Sequence, residues 1–265
     1  MDAVFLLLIY SITSKQLLKM LRHSGTRRSA VHNLRLATLL GLTAGMVNAE
    51  GFLGFSVLTT NVTGHAALFA EKVALQDWHS SISVALWMLL FFAGAFLTSL
   101  ILSITGSNKR FSYFIPIFIE ISILLFSALY GSKYDGGFAS QGLFAGSLLF
   151  AMGIQNALVS MVSGSVVRTT HLTGTFTDLG IELAQLIGTN AEKRVAIKSK
   201  IKLHAVIIFF FMTGAVSGAY LFHHIGFRSF YAPVFILCFA LLYDLLRIKV
   251  ERYYHVKTHT IRYRS

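Results

Sequence analysis

The sequence predicts an all-α membrane protein: six transmembrane helices arranged as two inverted three-helix repeats, with broken or re-entrant segments after the first and fourth spans. Three observations predict it. Charge is scarce and confined between long apolar runs, Lys and Arg gather on one side of those runs, and the chain repeats itself.

Only 13% of the 265 residues are charged and 55% are hydrophobic, with a mean hydropathy of +0.66. A soluble domain carries about 25% charged residues. Six apolar runs stand out, at 34–58, 81–104, 111–130, 138–165, 203–222 and 229–247. Each is near or above the ~20 residues that cross a ~30 Å hydrocarbon core as helix. None alternates polar and apolar positions strictly, which excludes the pattern of a membrane β-barrel. The runs divide the chain into a basic extension, 1–33, a membrane domain, 34–248, and a basic tail, 249–265. The opening MDAVFLLLIYSIT is too short to span, and it lacks the basic flank and cleavage site of a signal peptide.

With six spans and the N-terminus inside, 20 of the 23 Lys and Arg fall inside, and Lys72, Lys133 and Arg228 fall outside. This positive-inside bias puts both termini in the cytoplasm. Anionic lipid headgroups at the inner loops then suffice as partners for a net charge of +12. No aromatic-interleaved basic motif points to nucleic acid. The single cysteine, Cys238, excludes an intramolecular disulfide and a cysteine-based metal site.

The duplication is read from four matches in the same order. GMVNA at 45–49 matches GIQNA at 153–157, and TTNVTG at 59–64 matches TTHLTG at 169–174. FFAGA at 91–95 matches FMTGA at 211–215, and the only two prolines, Pro116 and Pro233, stand in FIPIFI and YAPVFI. The offsets are 108, 110, 120 and 117. The first repeat covers about 34–130 and the second about 138–248. Three spans per repeat, an odd number, invert the second repeat relative to the first, an architecture frequent in transporters. A competing count lets 63–77 and 172–188 cross as well, giving eight spans and parallel repeats. Both segments are short and part-charged, with Glu71, Lys72, Asp178 and Glu182, which suits re-entrant or interfacial helices better.

The T-x-x-TG motif after the first span, with AMGIQNALV and RTTHLTGTFTDLG around the fourth, resembles the YoaK-type family of bacterial membrane proteins. The resemblance covers about 34–248. It implies a bacterial inner-membrane protein of undefined function. The chain departs from the family pattern in its long N-terminal extension and at Asn48, where an aspartate is expected.

Each repeated motif reads as a helix break followed by a capped helix start. Discontinuous helices at a repeat interface are where many transporters bind substrate. Thr60, Asn61, Thr63 and Gly64 are therefore expected to face Thr170, His171, Thr173 and Gly174 as a substrate site, with Asn48, Gln155 and Asn156 from the first span of each repeat. The same residues also suit a structural role, as caps and inter-helix bonds. Glu50 and Glu120 are intramembrane carboxylates whose repeat counterparts are Leu158 and Leu237; either could carry a coupling proton. Asp178 and Glu182 share a helix face near His171, but the spacing reads as a solvated surface rather than a metal site. Asp244 and Arg247 read as an interfacial ion pair. A kink is expected near each proline, and close helix packing at Gly41, Gly45, Gly51, Gly54, Gly94, Gly142, Gly146, Gly153, Gly214 and Gly218. The G-x-x-x-G at 214–218 packs within the bundle or serves a homo-oligomer. No cofactor motif and no catalytic constellation stands out, so no enzyme is expected. The sequence points to a small-molecule transporter, proton-coupled through Glu50 or Glu120. The other reading is a non-transporting membrane protein that binds a lipid or protein partner.

Overall fold

The computed structural model describes residues 30–105, 113–188 and 190–242. Among the described residues every regular element is helical. They are α1 (Ala30–Phe55), α2 (Val62–Ala74), α3 (Trp78–Thr105), α4 (Phe114–Tyr130), α5 (Phe138–Ser163), α6 (Leu172–Gly188) and α7 (Ala191–Ile225). Short 3-10 turns follow α4 (Gly131–Lys133) and α7 (Gly226–Phe230), and residues 231–242 form α8. The expectations placed on 1–29 and on the tail, Asp244 and Arg247 included, lie outside the described residues.

Five helical runs are long and apolar enough to cross a membrane: Asn33–Phe55, Trp78–Thr105, Phe114–Lys133, Phe138–Ser163 and Lys193–Leu242. The first four coincide with the first four predicted spans. The fifth runs for 50 residues and covers the last two. As continuous helix it would reach about 75 Å, more than twice the hydrocarbon core, but α7 ends at Gly226, whose φ of +60° only glycine adopts at no steric cost. The helices α2 (13 residues) and α6 (17 residues) are not among the five, so the eight-span count gains no support.

Two sequence boundaries are corrected. Helix α1 stops at Phe55 rather than 58, because Ser56 takes a left-handed φ of 58° and turns the chain back. Helix α7 starts at Ala191 rather than 203, so the basic stretch with Lys198, Lys200 and Lys202 is not a loop but exposed helix continuous with the span. The prolines break nothing. Pro116 is the third residue of α4 and Pro233 the third of α8, in the first turn, where a backbone N–H has no helical partner to lose.

Helices α1 and α5 run through the middle of the bundle and are mostly buried. On α3 and α7, Phe92, Phe96, Ile104, Phe209 and Val216 point outwards, exposed. Apolar faces of that size are rare on soluble proteins. The packing pairs α1 with α7 and α3 with α5. A methyl built on Gly45 would overlap the Phe211 carbonyl, and one on Gly214 the Leu42 carbonyl. One on Gly153 would overlap the Phe91 carbonyl, and one on Gly94 the Phe150 carbonyl. Shifted by 108 on the first helix of each repeat and by 120 on the second, the first pair becomes the second pair. Gly218 faces Met46 as Thr98 faces Ile154, to whose carbonyl the Thr98 hydroxyl donates at 3.4 Å. The G-x-x-x-G is therefore filled by α1. Gly142 is the exception to the packing expectation, with open space around it. At one end of the bundle Phe55 stacks on Phe144 (5.2 Å) and meets Tyr134 (5.1 Å) and Phe227 (5.2 Å).

Two outcomes follow. Alanine at Gly45, Gly94, Gly153 or Gly214 forces two backbones apart and lowers stability by about 1–3 kcal/mol, whereas alanine at Gly142 or Gly180, helical positions with open space, leaves it unchanged or raises it by up to about 1 kcal/mol; thermal unfolding in detergent compares them. Asp77, just before α3, accepts from the Ser80 N–H at 3.1 Å, and its bonds to Ser80 hold its carboxyl below the ordinary value of 3.8. A lowered carboxylate pKa stabilises above the ordinary value and loses that contribution as pH falls through the lowered one. Protection of the first-turn amides of α3, taken as the exchange rate against the intrinsic rate at each pH, thus persists at pH 3.8 and falls below it, and Asp77→Asn removes that acid step.

Candidate functional site

Each repeated motif folds back along the helix that precedes it. After Ser56, the Thr60 N–H (3.1 Å) and hydroxyl (2.9 Å) donate to the Asn48 side-chain carbonyl. After α5 ends in a left-handed Gly164 and Ser165, the Thr170 hydroxyl donates to the Asn156 side-chain carbonyl at 2.7 Å. Both asparagines lie seven residues before the end of their helix, so each motif dips about 10 Å back along the bundle. Burial follows the same order in both copies: Thr59 and Thr169 are buried, Thr60 and Thr170 half-buried, Asn61, Thr63, His171 and Thr173 exposed.

Helix α2 then starts from Asn61, whose side chain accepts from the Gly64 N–H at 2.9 Å. The glycine is needed because the cap lies directly over it: a methyl on Gly64 would strike the Asn61 amide. His171 lies over Gly174 in the same way at the start of α6. The motif spells a helix start covered by its own cap, and this is the close approach that the glycines permit.

The structure brings each motif together with its own half. Helix α2 packs on α3 and α6 on α7, whereas α2 and α6 are not a packed pair. The amides assigned to one site divide accordingly: Asn48 and Asn156 hold the motifs, while the Gln155 side-chain N–H donates to the Leu40 carbonyl at 2.7 Å and ties the halves together. Around the second motif, Ser165, Arg168, His171, Thr173, Asp178 and His204 line a cavity of about 500 Å³. All its lining residues belong to the second half.

Glu50 and Glu120 are fully buried, and neither carboxyl oxygen of either has a hydrogen-bond partner. The buried Ser229 hydroxyl, from the turn after α7, faces the Glu50 carboxyl and is the partner available to it, whereas Glu120 has no such neighbour among the described residues. Sequence reasoning passed over Thr59 and Thr169, whose buried hydroxyls are also unpartnered; the doubled threonine was the available signal. It also misplaced Glu182, which is not a surface neighbour of Asp178 but a buried group 2.9 Å from His204 Nδ1. Among the described residues no group of three His, Cys, Asp or Glu is placed to hold a metal.

Helices of this length and apolarity, joined to two folded-back motifs, define a multi-pass helical membrane protein. The chain matches the family described as "Protein of unknown function (DUF1275)" over residues 36–243, and it belongs to that family. No curated protein and no solved structure matches it.

A buried, unpartnered polar group costs about 1–3 kcal/mol, and Leu158 and Leu237 fill the repeat-equivalent places of Glu50 and Glu120 fully buried. Glu50→Leu and Glu120→Leu should each raise thermal stability in detergent by about that amount. A loss of stability would mean that the carboxyls serve the fold.

Proposed function

We propose that the protein is a small-molecule transporter of the bacterial inner membrane, YoaK-type, with six spans in two inverted repeats of three and both termini cytoplasmic. The observation that carries this reading is the pairing of contacts between halves, in which Gly45 on Phe211 and Gly214 on Leu42 repeat as Gly153 on Phe91 and Gly94 on Phe150. Reading Lys193–Leu242 as two crossings around the turn at Gly226 gives each repeat three spans, an odd number, and so inverts them. The two motifs then dip in from opposite faces. Two inverted halves that share one set of crossings can exchange conformations and open a path to either side. Buried, unpartnered Glu50 and Glu120 suit proton coupling, because residues that burden the fold are retained for another purpose. The exposed basic turns at the start of α7 meet anionic lipid headgroups. The chemistry is binding and movement, not catalysis.

One observation favours the second reading, a non-transporting membrane protein that binds a lipid or protein partner. The cavity at the second motif is lined by one half alone, not by both.

Cysteine accessibility separates the two. In a Cys238→Ser background, Asn61→Cys and His171→Cys are labelled from either side with an impermeant thiol reagent while pH is varied. Transport predicts that accessibility switches sides with pH and that Glu50→Gln or Glu120→Gln abolishes the switch. Reaction of position 61 from one side only and of position 171 from the other only, at every pH, removes the transport reading.

A further inference from the structure

We propose that the cavity at the start of α6 binds a small dipolar molecule with one carboxylate and one ammonium group, the chemistry of a free α-amino acid. It rests on the reading of the second motif as a binding site and names the class of ligand.

Arg168 and Asp178 both line this cavity, and among the described residues neither forms an ion pair, with the other or with any other group. The frame does not require these charges. The first half builds the same dip, the same capped helix start and the same packing of that helix on the next with Leu58 in place of Arg168 and Leu68 in place of Asp178, an offset of 110. His204 in the cavity wall replaces Val84, an offset of 120, and its ring is fixed by the bond to buried Glu182. Ser165, Arg168, Thr177, Asp178 and His204 thus line the cavity where the first half has apolar residues, and the two opposite charges, both exposed, are not paired with each other. An anion would be met by Asp178 and a cation by Arg168. A ligand carrying both charges satisfies both, with its carboxylate on the guanidinium beside the first-turn amides of α6 and its ammonium on Asp178. A volume of about 500 Å³ leaves room for a side chain. A zwitterionic lipid headgroup offers the same pair of charges.

The test is thermal unfolding of the purified full chain in detergent, with each of the common amino acids and with glycerophosphoethanolamine, a soluble lipid headgroup. At least one zwitterion is expected to raise Tm, while its carboxamide and its deaminated acid do not. Arg168→Gln and Asp178→Asn each weaken its Kd about tenfold or more. Their unliganded Tm stays near that of the parent, as the first half folds with leucine at both places. A shift from glycerophosphoethanolamine alone assigns the site to a phosphate-bearing lipid headgroup and overturns the carboxylate. No shift from any zwitterion, equal binding of the amide or the acid, or unchanged affinity in both variants overturns the inference. Binding without uptake into proteoliposomes leaves the inference standing and removes the transport reading. Amino-acid uptake untouched by both variants does the reverse.

Discussion

Where α1 meets α7 and α3 meets α5, nothing but hydrogen stands between one backbone and the next. Lipid gives helices no hydrophobic reason to associate, so their attraction depends on how closely their surfaces fit. Gly45, Gly94, Gly153 and Gly214 provide that fit, each at the carbonyl of a helix from the opposite half. From these crossings follows the rest of the arrangement: α1 and α5 in the middle, α3 and α7 outside with Phe92, Phe96 and Phe209 turned outwards, and the motif helices packed along the outer pair.

On this common frame the two halves differ at most positions, and some of the differences exchange an apolar residue for a charged one. Glu50 and Glu120 stand where the second half has Leu158 and Leu237, and Arg168 and Asp178 stand where the first half has Leu58 and Leu68. Residues that the frame needs, Asn48 with Thr60 and Asn156 with Thr170, are present in both copies. An unrepeated residue can also serve the fold, as Gln155 does by bonding the Leu40 carbonyl where the first half has Val47.

Much of the fold was legible in the sequence. Length and apolarity located the first four spans to within a few residues, since a helix in lipid must satisfy its backbone internally and leaves a long apolar signature. The matched motifs were legible because Gly45 and Gly153, Gly94 and Gly214, and Gly64 and Gly174 stand where another backbone or a cap leaves no room for a side chain. Other features were hidden for physical reasons. Helix α7 extends 12 residues before its predicted start at 203, because Lys and Arg form helix as readily as apolar residues do and composition marks only the buried part. The bond between Asn48 and Thr60 depends on a left-handed Ser56 that no propensity announces. The pairing of Glu182 with His204 joins helices whose contact no periodicity encodes.

The four tight crossings all run between halves, and α1 and α3 are not a packed pair within the first. A chain ending after α4 would have glycine faces on α1 and α3 with no internal partner to cover them. A second copy of that same chain would offer backbone carbonyls at the matching positions, Phe91 for Phe211 and Leu42 for Phe150. The contacts inside this single polypeptide thus have the form of those between two subunits, with the connection between α4 and α5 holding them at fixed proximity.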